Sequence, residues 1–82
     1  MNMPKIKEYD LVALTENVQA THQETKQSIV LRRGQLGTVL MEFNGEAYLI
    51  DFADAQGCTY AMETISADKL MLLFDEPIEA YA

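Results

Sequence analysis

The sequence predicts a small all-β domain, and three observations carry that prediction. Apolar and polar residues alternate with a period of two through much of the chain, most clearly over Leu36 to Phe43 and Glu46 to Ala53. An Asn44-Gly45 pair stands between those two runs, and both residues accept the positive φ of a type I′ hairpin turn. The chain has 82 residues, four glycines, two prolines and 49% hydrophobic side chains, which is the composition of one folded domain. At this length only about 60% of the unfolded surface is buried, so the core is small.

The elements follow in order. Leu11 to Thr15 reads as a strand, entered through Tyr9-Asp10. Residues 16–28 hold only two aliphatic side chains, Val18 and Ala20. They are expected as a long excursion between strands, with Glu16 to Gln27 the one segment open to a short helical stretch. Ile29 to Leu31 returns as a strand and Arg32-Arg33-Gly34 turns. In the strand Leu36 to Phe43, Gly37 marks a bulge or a close approach of backbone. Glu46 to Ala53 completes the hairpin, Asp54 to Gly57 turns again, and Cys58 to Thr64 is the next strand. Ile65 to Asp68 is too short for a helix and suits one 3-10 turn before a last strand, Lys69 to Leu73.

Alternation assigns the faces. With Glu42, Asp51 and Glu63 in water, the core holds Val39, Met41, Phe43, Tyr48, Ile50, Phe52 and Met62, joined by Val12 and Leu14. Five or six short strands, a long first loop and a 3-10 step before the last strand give the topology of an SH3-like barrel spanning residues 1–73. Closure would also protect the sheet edges of so short a chain. Residues 74–82 form an acidic tail.

Four segments carry a family resemblance. They are Glu8-Tyr9-Asp10-Leu11-Val12-Ala13-Leu14-Thr15, Gly34-Gln35-Leu36-Gly37-Thr38-Val39, the alternating strand Glu46 to Asp54, and Thr64 to Leu70. In this order they resemble the bacterial domain-of-unknown-function family 4926, across roughly residues 6–73. The resemblance implies a bacterial SH3-like barrel and brings no enzymatic activity with it. The long first loop and the tail depart from the family pattern.

Charge and residue inventory narrow the function. Thirteen acids against six bases give −7, which opposes the counterion-releasing basic stripe of a nucleic-acid binder. Arg32-Arg33 is the nearest approach to such a stripe and is expected as a solvated loop edge. No apolar run approaches the roughly 18 residues of a membrane span. Residues 1–10 carry four charges and no apolar signal core, so a cytoplasmic protein is expected. The single cysteine, Cys58, forms no internal disulfide or Cys-cluster metal site and is expected as a half-buried small hydrophobe. His22, the only histidine, is expected as ordinary loop surface without a nucleophile beside it. Asp51, Asp54, Glu46 and Glu63 lack a calcium-loop pattern and read as a solvated acidic face. Gly34 and Gly37 precede a strand, not a helix, and read as turn glycines. Neither a cofactor nor a catalytic group is expected.

Leu36, Leu40 and Leu49 lie on strands whose alternate positions already fill the core, so they are expected on an outer face as an interface. The tail holds three acids and no base, and its Phe74, Ile78 and Tyr81 are candidate anchors on a neighbouring subunit. The expectation is a non-enzymatic protein-protein interaction module that self-associates, with a dimer favoured and neither nucleic acid nor membrane as partner. The alternatives are a nucleic-acid-associated KOW-like barrel, suggested by Gly34 to Val39, and a small-molecule-binding accessory domain. The latter would carry a pocket lined by Val18, Tyr9 or Tyr60.

Overall fold

The structure is a computed structural model and describes residues 5–78. The elements are β1 (Leu11–Leu14), β2 (Val18–Thr21), β3 (Ser28–Leu31), β4 (Leu36–Phe43), β5 (Ala47–Ala53) and β6 (Thr59–Ser66). A 3-10 turn (Ala67–Lys69) and β7 (Leu70–Leu72) complete them. All pairings are antiparallel. One sheet has the order β6-β5-β4-β1-β7, and β2 and β3 form a separate two-stranded sheet. The all-β class and the 3-10 turn before the last strand are as expected. The ladder, however, does not close into one barrel.

The segment 16–28 is not an excursion. Val18 and Ala20 alternate with Gln19 and Thr21 in a four-residue strand that pairs with β3, and Ala20 and Leu31 belong to the buried cluster. A turn over residues 22–27 joins the two strands, and His22 organises it. Its Nδ1 accepts the backbone N–H groups of Glu24 and Thr25 at 3.2 and 3.3 Å, so His22 is a half-buried turn cap and not plain loop surface. The hairpin then covers the outer edge of β6. The Gln23 N–H donates to the Tyr60 carbonyl at 2.8 Å, and the Thr21 N–H donates to Glu63 Oε2 at 3.0 Å. An otherwise open strand edge thereby gains polar partners.

The core lies between the two sheets. Val12, Leu14, Leu31, Val39, Ile50 and Phe52 are fully buried, and Tyr48, Ala61, Ile65 and Leu70 join them. Each large side chain contributes about 1.5–3 kcal/mol by leaving water. Gly37 faces this core, where an added Cβ would overlap Ile50 Cγ2 and come within 3.1 Å of the Phe52 ring. The close approach expected at Gly37 is therefore real. Asn44 and Gly45 have φ of 55° and 72°, the left-handed pair that the I′ turn requires. In the next turn Asp54 Oδ1 accepts the N–H groups of Gln56 and Cys58.

Three core assignments from alternation are corrected. The β4–β5 register slips between Val39 and Met41, so Leu40 is an extra residue with no partner of its own. Beyond the slip, Met41 pairs with Leu49 and Phe43 with Ala47, and both Met41 and Phe43 are exposed. A bulge reverses the in-out pattern of every later residue in its strand. In β6, Met62 pairs with Asp51 and shares its outer face, while Glu63 pairs with the buried Ile50. The Glu63 carboxylate is tolerated on the inner side because the end of β2 supplies the Thr21 N–H. Cys58 precedes β6 and is exposed, not half-buried.

Two substitutions test this packing. Gly37→Ala should lower unfolding free energy by about 1–3 kcal/mol, because the core must shift to admit one methyl. Urea titration would read it as a lower midpoint at unchanged slope. Glu63→Ala should cost about 0.5–1.5 kcal/mol by removing the acceptor of the Thr21 N–H. Glu63→Gln, which keeps an acceptor oxygen, should cost less, and faster amide exchange at Thr21 in the alanine variant would localise the effect.

Candidate interaction surface

Directly paired residues of an antiparallel sheet share a face, so the register builds the outer face of the five-stranded sheet row by row. Across β7, β1 and β4 run Met71, Ala13 and Leu36. Across β1, β4, β5 and β6 run Leu11, Thr38, Asp51 and Met62. Beyond the bulge come Met41, Leu49 and Thr64, then Phe43, Ala47 and Ser66. Leu11, Leu36, Met41, Phe43, Met62 and Met71 are each between 41% and 54% exposed. Six large apolar side chains thus occupy one face. Ala13 is buried on the same face, flanked by the longer Leu36 and Met71. Asp51 is the one charged residue in these rows, and its Oδ1 accepts the Thr59 hydroxyl at 2.7 Å.

The residues expected at an interface fall in different places. Leu36 is exposed on this face, and Leu49 is half-buried on it beside Met41. Leu40 occupies the bulge and is half-buried there, so it is not the cross-strand neighbour of Leu49. Phe74, beyond β7, is 69% exposed and borders a largely apolar cavity with Ile6, Leu70, Met71 and Leu72. Ile78 is fully open to solvent at 93%, and Tyr81 lies outside the described residues. Sequence alternation missed Leu11, Met41, Phe43, Met62 and Met71. The density of methionine and phenylalanine around the hairpin was the available signal, but it was absorbed into the core.

The candidate pocket residues do not converge. Tyr60 borders a polar cleft with Arg32, Arg33 and Gln35, whereas Tyr9 borders a separate, more apolar one with Lys7, Leu72 and Phe74. Val18 packs against the core cluster. Three of the four carboxylates considered as metal ligands have separate partners: Asp51 engages Thr59, Asp54 caps its turn and Glu63 holds β2. No cluster of three or more metal-ligating side chains forms among the described residues.

The fold and this surface define a small all-β domain with a five-stranded antiparallel sheet, cored on one side and apolar on the other. The chain belongs to the domain-of-unknown-function family DUF4926, whose model matches residues 8–72. No curated protein and no solved structure matches it significantly.

The two faces should respond oppositely to the same chemistry. At concentrations low enough to keep the chain monomeric, Met41→Gln and Met62→Gln, on the outer face, should each change stability by no more than about 0.5 kcal/mol. Ile50→Ala, on the inner face, should cost about 2–5 kcal/mol. Thermal unfolding of the three variants measures the contrast, and an outer-face loss as large as the inner one would contradict this face assignment.

Proposed function

We propose that this chain is a non-enzymatic protein-protein interaction module that self-associates as a dimer through the outer face of its five-stranded sheet. The observation that carries the reading is the collection of six exposed apolar side chains on that one face. Five strands about 4.8 Å apart make the face roughly 20–25 Å across. That footprint suits the roughly 800 Å² that each partner of a standard interface contributes. Two such faces stacked about 10 Å apart would give a sandwich whose second core is intermolecular. A second copy is the partner of choice because the face is apolar and its rows carry a single charge. A twofold axis lays one apolar face on its own equal.

The charge balance of −7 supports a protein partner over the KOW-like nucleic-acid reading, since phosphate backbones are repelled over most of the surface. No helix among the described residues is long and apolar enough to cross a membrane. A cytoplasmic site of action belongs to the proposal.

Light scattering coupled to size exclusion tests it. The wild-type chain should run at twice its 9.2 kDa mass. Met41→Glu combined with Leu49→Glu should give a folded monomer, because the paired carboxylates cannot be buried together. Asp51→Asn should tighten the dimer by roughly threefold or more, as the only charge to be desolvated in the contact is removed. A monomeric wild type at high micromolar concentration would overturn the reading.

A further inference from the structure

A second feature lies at the β3–β4 turn, away from the centre of the apolar face. Arg32 and Arg33 stand side by side there, and neither has a carboxylate within ion-pair distance among the described residues, where Lys69 and Glu16 form the one such pair at 3.8 Å. Two free guanidinium groups are unexpected in a chain with thirteen acids. Together with Gln35, Ala53 and Tyr60 they border an open cleft of about 340 Å³ with mainly polar walls.

The turn beneath them is pinned from several directions. The Gly34 N–H donates to the Leu14 carbonyl at 2.7 Å, and the Arg33 N–H donates to Asn17 Oδ1 at 2.8 Å. Gly34 has φ of 89°, a conformation that admits glycine most readily. The Gln35 side chain is oriented by its neighbours. Its Oε1 accepts the Arg32 N–H at 3.0 Å, and a backbone N–H can only donate, so the amide oxygen must face it. The amide nitrogen then donates to Tyr60 Oη. With its oxygen already accepting, the Tyr60 hydroxyl keeps its proton for another acceptor. Its ring is braced against His22, with centroids 6.4 Å apart. The cleft therefore offers two guanidinium forks and a phenol donor on a fixed turn.

We propose that this cleft is a binding site for a compact oxyanion, a carboxylate or a phosphate group, held by Arg32, Arg33 and the Tyr60 hydroxyl. Arginine forks match the paired oxygens of either group. The surrounding acidity selects against extended polyanions, because only these two positive charges are concentrated here. The site stands independently of the dimer.

The experiment titrates the full chain, carrying the Met41→Glu and Leu49→Glu changes, with sodium phosphate and separately with succinate at constant ionic strength. Backbone amide shifts report binding. The expected result is saturable, one-site shifts centred on residues 32–36 and Tyr60 with at least one of the two anions. The better ligand names the source, phosphoryl or carboxyl. Arg32→Gln with Arg33→Gln should weaken binding at least tenfold, and Tyr60→Phe, which keeps the ring, three- to tenfold. Arg32→Lys with Arg33→Lys keeps the charge and should recover only part of the affinity, which separates a fork from simple attraction. Shifts that fail to saturate, that spread over the surface, or that persist in the arginine-to-glutamine variant would overturn the proposal. Should the glutamate pair fail to fold, the same titration on the wild-type chain decides it.

Discussion

Between Val39 and Met41 the central strand β4 holds one residue more than β5 can pair, and much of the surface chemistry of this domain depends on that slip. Before it, Gly37 and Val39 face the core. After it, Met41 and Phe43, which strict alternation would bury, turn outward. Without the bulge both side chains would lie on the inner side, in line with Val39. The bulge sends them to the outer face instead, where they join Leu49. A bulge is a conserved kind of device for re-aiming side chains rather than a defect of the ladder.

The core that remains is small, so its polar attachments matter more. A five-stranded sheet with one covered face still has two edges. At β6 the hairpin β2–β3 supplies the cover through Glu63 and the Tyr60 carbonyl, both of which accept backbone N–H groups from the β2 side. The same Tyr60 that receives the hairpin through its carbonyl holds the β3–β4 turn through its hydroxyl. The stacking of His22 on its ring links the far turn of the hairpin to this point. Packing of the second layer and shaping of the polar cleft are thus a single arrangement.

Much of this was legible in the residues, and the misses have physical causes. Asn44-Gly45 placed the hairpin because so few dipeptides accept two positive φ values, and Leu36 to Phe43 was delimited by its own alternation. The bulge was invisible because a strand's period-two pattern carries no mark of an extra residue when both faces are apolar. β2 was missed because two small aliphatic side chains among polar neighbours give almost no signal until Leu31 and Ile29 are seen to cover them. Glu63 misled for the opposite reason. A carboxylate suggests water, and only the tertiary contact with Thr21 shows that an N–H group takes its place. The interface residues inherited these errors, so Leu40 was chosen where Met41 stands.

The apolar face and the arginine cleft also divide the work of recognition in a physically sensible way. An apolar sheet face supplies area but little selectivity, since one flat patch of methionine and leucine resembles another. Methionine heightens that indifference, because its flexible, polarisable side chain adapts to many surfaces. A pair of guanidinium forks supplies the reverse, strong directional preference over a small area. In a chain of net charge −7, two adjacent arginines without a carboxylate partner among the described residues offer an approaching anion a local positive field at that turn. Leu36 borders the cleft and also lies in the outermost row of the apolar face. A group held by Arg32 and Arg33 would therefore sit at the rim of the sheet, where it can orient whatever the apolar face covers.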